Sequence, residues 1–295
     1  MNKEYQNYSV VLSSSNIVAG TKNSVLKYTF DSAMKFNNAQ ISLSTLNMYF
    51  SWFNISSLLN NNRFSYKWFD SSGDLSDAFE IVIKDGYYSV NDLNEYVQSI
   101  LVTRGHYLKQ ISSGNHIYHI EFITNKVYYT IELNVYAMMT SDAAGANYVR
   151  GSTDWAYPAE YTTVQVILNS TNKFSSLIGF ENKTYPEVSD ANNHAFASTV
   201  SPIMEPISTV LVLCSFATQG GYSNPDNIIY SFTNAGVGFG DMIEKKPVIN
   251  NYVNIRDGVY SNFTIEFVDQ NFQRIDIKDP SILVMMNFKI ETNNI

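Results

Sequence analysis

One cysteine, seven prolines and a charged fraction of only 16% are what this chain of 295 residues has little of. With Cys214 alone, an intramolecular disulfide framework and any zinc site built on several cysteines are excluded. Cys214 sits in the apolar run TVLVLCSF, residues 209–216, where a buried and inert strand residue is expected rather than a nucleophile. No run of about 18 apolar residues occurs, so no membrane span is expected. The opening MNKEYQNYSVVLSSSN has no apolar core long enough for a signal peptide, and the product reads as made and kept in the cytoplasm of a cell. The Asn-x-Ser/Thr triplets at Asn7, Asn54, Asn169, Asn182 and Asn262 then read as accidents of an Asn-rich chain. Basic residues are also scarce. A net charge of -8 and a pI near 5.0 oppose nucleic-acid wrapping as the main task, and no specific nucleic-acid partner is expected.

What the chain does have is apolar and aromatic material. Hydrophobic residues make up 45% and aromatics 14%, which argues for a sizeable core and against disorder. Tyr and Phe mixed with Val, Ile, Thr, Ser and Asn suit pleated surfaces joined by turns, so the fold class expected is all-β. The length allows one large all-β domain or two ordinary ones.

Residues 1–22 show no sustained period and read as an arm or loosely attached tail, able to grip a neighbour. Strand patterns follow at residues 25–30, 39–50 and 64–69, with turns at Asn60-Asn61-Asn62 and Ser71-Ser72-Gly73-Asp74. One helix is clear. Ser89 can cap it, Asp92 occupies the capping-box position, Val90, Leu93, Val97, Ile100 and Leu101 share a face, and Gly105 ends it. Residues 117–122 and 127–133 suggest a hairpin about a turn at Asn125, and residues 138–160 a long surface loop. The last third offers an apolar strand at 206–216, turns at residues 220–225 and 236–240, and a terminal meander of strands at 263–267, 275–277 and 281–290. The final segment, SILVMMNFKI, is apolar at consecutive positions and is expected inside a sheet covered on both sides.

Catalytic signatures are weak. His106, His116, His119 and His194 invite a metal, but His116 and His119 differ by three in a strand pattern and point to opposite faces, so all four read as polar surface residues. Gly236-Val237-Gly238-Phe239-Gly240 has its third glycine one residue too early for a phosphate loop, and Lys245-Lys246-Pro247 follows in place of an apolar helix. Ser170-Thr171-Asn172-Lys173 matches the Ser-x-x-Lys spacing of acyl-enzymes without a Lys-Thr-Gly partner anywhere in the chain. Glu80, Asp85, Glu132 and Glu266 have no sequence feature that fixes the separation a glycosidase pair needs. No catalytic, cofactor-binding or metal residue is assigned, no cofactor is expected, and the chain reads as a protein that is not an enzyme.

Three stretches resemble the penton, or vertex capsid, proteins of virophages and polinton-like viruses, mavirus among them. They are IKDGYYSVNDLN at residues 83–94, FSSLIGF at 174–180 with Tyr185-Pro186, and the end from Phe263 to Ile290 with its order of strand, Asp-Gln-Asn, strand, Asp-Pro, strand. The resemblance implies a virion protein of the capsid vertex: a single jelly-roll β-sandwich with one helix and an inserted, partly β, outward-facing region at about residues 105–200. On that reading residues 1–22 are the arm and 23–295 the capsid domain. It also implies partners, namely itself as a homopentamer of an icosahedral shell, and a larger major capsid protein built from two jelly rolls.

Two other classes compete. A β-sandwich module binding carbohydrate or a host receptor would use exposed aromatics, with Trp155 and Tyr157 of the long loop as the residues to change. A hydrolase on the same scaffold would need a nucleophile-base or metal set. A vertex protein can also attach to a host through its outer loops.

Overall fold

Strand accounts for 42% of the chain and helix for 9% in the computed structural model, so the fold class is all-β; residues 5–220 and 225–291 are described. The chain forms two compact units, residues 1–52 with 207–295 and residues 53–206.

Among its described residues unit 1 has ten strands: β1 (Tyr5–Leu12), β2 (Val25–Phe36), β3 (Ala39–Tyr49), β4 (Val210–Cys214), β5 (Ala217–Thr218), β6 (Ile228–Phe232), β7 (Met242–Lys245), β8 (Val253–Ile255), β9 (Gly258–Val268) and β10 (Leu283–Glu291). They form two antiparallel sheets, one in the order β1-β10-β3-β8-β5 with β7 also on β3, the other in the order β6-β4-β9-β2. The pairs nest along the chain: β1 with β10, β2 with β9, β3 with β7 and β8, β4 with β6. Alternation puts one side of each strand inward. Phe288 of β10 lies 5.9 Å from both Phe36 of β2 and Phe263 of β9, ring to ring, so the inner faces of the two sheets meet. Phe216 sits 4.9 Å from Phe263 and 5.6 Å from Phe36, completing an aromatic centre.

Three expectations change in unit 1. Tyr5–Leu12 is no tail: it pairs with β10 from Tyr5↔Glu291 to Leu12↔Val284. Its periodicity is silent because it is an edge strand with nearly every side chain exposed until Leu12. The final strand lies between β1 and β3 as expected, but only one face is fully buried. Val284, Met286 and Phe288 point in, while Leu283 stays 37% exposed and Met285 half-buried. The register shift at Met285/Met286 is taken up on β3, where Ser44 is left unpaired, so β10 keeps its alternation; Leu283 and Met285 are simply apolar on the outer face, which makes the sequence read as apolar on both sides. Ile275 and Ile277 are buried without forming a strand, so the terminal meander has two strands rather than three. Of the turn read at 220–225, residues 221–224 lie outside the described residues, as do residues 1–4 of the arm.

Unit 2 has its own core, from Ile55 to Tyr185, around Phe64, Tyr66, Trp68, Phe122, Trp155 and Phe174. Helix α1 (Val90–Thr103) forms as its sequence dictates. The Ser89 hydroxyl accepts from the Asp92 N–H, the Asp92 carboxylate accepts from the Ser89 N–H, and Val90, Leu93, Val97 and Leu101 are buried. Strands 63–67, 79–82, 165–167 and 184–185 make a four-stranded sheet, and 120–125 with 130–135 and 194–197 a three-stranded one. The hairpin turn falls at residues 126–129, later than expected, because Asn125 stays in register with Thr130 while its side-chain Oδ1 accepts from the Val127 and Tyr128 N–H groups. The body that interrupts unit 1 therefore begins some way before residue 105: its first strands alternate like those of unit 1 and carry no mark of a boundary.

Candidate functional site

The residues weighed for chemistry do not converge. Glu80 faces Arg63 at 3.8 Å, Asp85 accepts from Ser57, and Glu132 accepts from Asn125, each pair separate in unit 2. Glu266 lies in unit 1, paired with Arg274 at 2.5 Å. Cys214 is fully buried in β4, and burial pushes its thiol up to about 12, so it is not a nucleophile. Ser170 and Lys173 belong to an exposed loop before the short helix Phe174–Ile178. The glycine loop at 236–240 is held by Phe50, whose carbonyl accepts from Gly240 N and whose N–H donates to Asp241, and it runs into β7. No helix follows it, as expected. Among the described residues no three His, Cys, Asp or Glu side chains gather to hold a metal, and no helix is long and apolar enough to cross a membrane.

Two of the four histidines are not surface residues. His116 is exposed against Tyr107, and His194 pairs with Asp190 at 2.9 Å. His119 is fully enclosed, its Nδ1 3.1 Å from the Tyr136 carbonyl. His106 is 7% exposed and stacks on Trp68 at 5.0 Å. Burial, and for His106 also the nearby Arg104 charge, lowers both to about 4. A pattern of polar neighbours hides this: in GHY and YHI a histidine reads the same whether an aromatic wall covers it or not. Trp155 is likewise no exposed platform. It is 1% exposed, packs edge-on to Trp68 at 5.3 Å and donates its Nε1–H to the Gly105 carbonyl.

What unit 2 does offer is two clefts. The first, of about 640 Å³, is lined by Phe69, Asp70, Phe79, Arg104, His106 and Asp154, with Trp155 behind. The second, of about 520 Å³, lies between the start of α1, the 126–129 turn and residues 201–205, where the Tyr87 hydroxyl donates to Glu205. Val127 and Tyr128 at that turn are 84% and 76% exposed.

Unit 1 has a cleft of about 530 Å³ lined by Tyr5, Gln40, Asn254, Arg256 and Asp257, and it also offers contact surfaces. β1 has β10 on one side and, among the described residues, no strand on the other, and its sequence YQNYSVVL carries no charge and no proline to guard that open edge. Val248 and Ile249, in the loop between β7 and β8, are 100% and 82% exposed.

No family model matches the chain, and no curated protein matches it. Among solved structures, that of the selenomethionine-labelled mavirus penton protein is similar at 10% sequence identity, covering 99% of this chain and 100% of that one, with a TM-score of 0.43. At that score the likeness does not establish a common fold.

Proposed function

We propose that this chain is a structural capsid protein whose work is self-assembly into the pentameric vertex capsomer of an icosahedral virion, with unit 1 as a single jelly roll. The observation that carries the fold reading is the nesting of strand pairs in unit 1. Pairs β1–β10, β2–β9, β3–β7/β8 and β4–β6 are the rungs of one long antiparallel ribbon, and successive pairs alternate between the two sheets. Such a ribbon wrapped upon itself is a jelly roll of two Greek keys. Residues 53–206 are inserted between β3 and β4 and supply the region that the capsid reading assigns to outer contacts.

Function is a further step, since one fold hosts many activities. It is supported by the three stretches that resemble penton proteins and by apolar surface left open on unit 1. The uncharged edge of β1 and the exposed Val248 and Ile249 are what a subunit carries when another subunit completes its burial. Side-by-side contacts of unlike surfaces close into a ring when the rotation permits, and a larger capsid protein of two jelly rolls would surround that ring. Light scattering on the purified chain tests this: a mass about five times 33.4 kDa is expected, alone or with the surrounding capsid protein. A monomer at high concentration that gains no order on adding that protein would overturn it.

A further inference from the structure

We propose that the cleft of unit 2 in front of Trp155 is a binding site for a neutral, polyhydroxylated ligand, a pyranose or a short oligosaccharide. Its volume of about 640 Å³ falls in the range of small-molecule sites. The chemistry of its walls selects the class.

The inner wall presents one well-defined donor. Arg104 Nη1 lies 3.3 Å from the Tyr66 hydroxyl, and a guanidinium can only donate, so the Tyr66 oxygen accepts there. The Tyr66 proton then goes to its other partner, His106 Nδ1, at 2.7 Å. A neutral imidazole accepting at Nδ1 carries its proton on Nε2, and His106, more than nine-tenths buried, lines the cleft. The rim supplies acceptors. Asp154 takes the Ser152 hydroxyl on Oδ2, and Asp70 takes two backbone N–H groups on Oδ1. Each carboxylate keeps a second oxygen for a ligand hydroxyl.

Charge decides against the other classes. An anion would meet both Asp70 and Asp154, two carboxylates against the single guanidinium of Arg104. Arg104 donates to the Glu80 carbonyl at 2.7 Å and lies over the rings of Tyr66 and Phe79. A metal cation would meet Arg104 and the N–H of His106. A neutral ligand whose groups both donate and accept satisfies donor and acceptors together, and half-buried Phe79 offers apolar surface for the ring's C–H bonds.

The walls are also fixed in place beforehand. Gly105, at φ +70°, brings its backbone against Ser152, where an added Cβ would come within 2.4 Å of the serine Cβ. Gly73, at φ +86°, does the same against the Tyr157 carbonyl at 2.4 Å. Ala156 N donates to the Asp70 carbonyl at 2.8 Å, tying the two rims together. Segments locked this tightly present a preformed site that loses little freedom on binding.

The inference is independent of the capsid reading. Its test is saturation-transfer NMR and calorimetry on the full chain with methyl glycosides of glucose, galactose, mannose and N-acetylglucosamine, and with inorganic phosphate and acetate as anionic probes. At least one glycoside is expected to bind, and Asp154→Ala, a change at an exposed side chain, is expected to weaken it about tenfold or more with an unaltered melting temperature. Failure of every glycoside at millimolar concentration would overturn the proposal, as would binding of the anions alone. Glycoside binding that Asp154→Ala and Phe79→Ala both leave intact would also overturn it, since the site would lie elsewhere.

Discussion

His106 and His119 carry the pH response of unit 2. Both are ordinary histidines near 6.5 when unfolded and fall to about 4 in the fold, because burial disfavours the charged ring. A depressed histidine pKa means the unfolded chain takes up protons first as the medium acidifies. Stability is therefore full above about pH 6.5 and declines from there toward pH 4, by roughly 3 kcal/mol per histidine at the lower end. Urea titrations from pH 7.5 to 4.0 should show this slope, and His119→Gln should flatten it. The carboxylates held low by hydrogen bonds, Asp92 and Asp190 among them, contribute only at more acidic pH, and in the same direction. Neither buried histidine is legible from its neighbours in sequence, since the wall around each is assembled from strands and loops far along the chain. The fate of Cys214 was legible, because the apolar run around it has the pattern of the strand that buries it. A second prediction at this scale concerns the aromatic centre of unit 1. Phe288→Ala should cost about 3–5 kcal/mol, read as a drop in the urea midpoint, because three facing rings leave the space unfilled.

At the scale of elements, α1 and β1 mark the two extremes of legibility. Everything that makes α1 is local: a capping box, an apolar stripe and a stop at Arg104-Gly105. Ser89→Ala should remove about 1 kcal/mol and lower the melting temperature of unit 2 without touching its core. β1 has no such local signal, because a strand that covers little apolar surface needs no alternation, and only its ladder with β10 defines it. Deleting residues 1–12 should bare the edge of β10, lower the melting temperature and leave a product that aggregates, scored by turbidity on heating. The expected hairpin forms, and its turn lies later than read for a related reason. Tyr128 and Tyr129 have strand propensity, yet the side chain of Asn125 captures the backbone first and turns them to solvent, with Tyr129 at φ 54°.

For the whole molecule, composition was enough to give an all-β chain, while the division at residues 52/53 and 206/207 was not visible: nothing rich in proline or glycine marks the first junction, and Pro202 and Pro206 at the second read as ordinary loop prolines before an apolar strand. A boundary between two β bodies has no composition contrast to betray it. Since the core of unit 2 is made wholly of its own side chains, residues 53–206 expressed alone should melt cooperatively and keep the near-ultraviolet signature of the packed Trp68 and Trp155. A non-cooperative melt would mean that unit 2 depends on the rest of the chain.

The pairing of Tyr5 with Glu291 has a practical corollary. Opposite residues of an antiparallel ladder stand about 5 Å apart, so Tyr5 and Glu291, the first and last described residues, share one corner next to the unguarded margin of β1. A tag there can mask a docking margin or zip onto it, so measurements of assembly state belong on cleaved, tagless material.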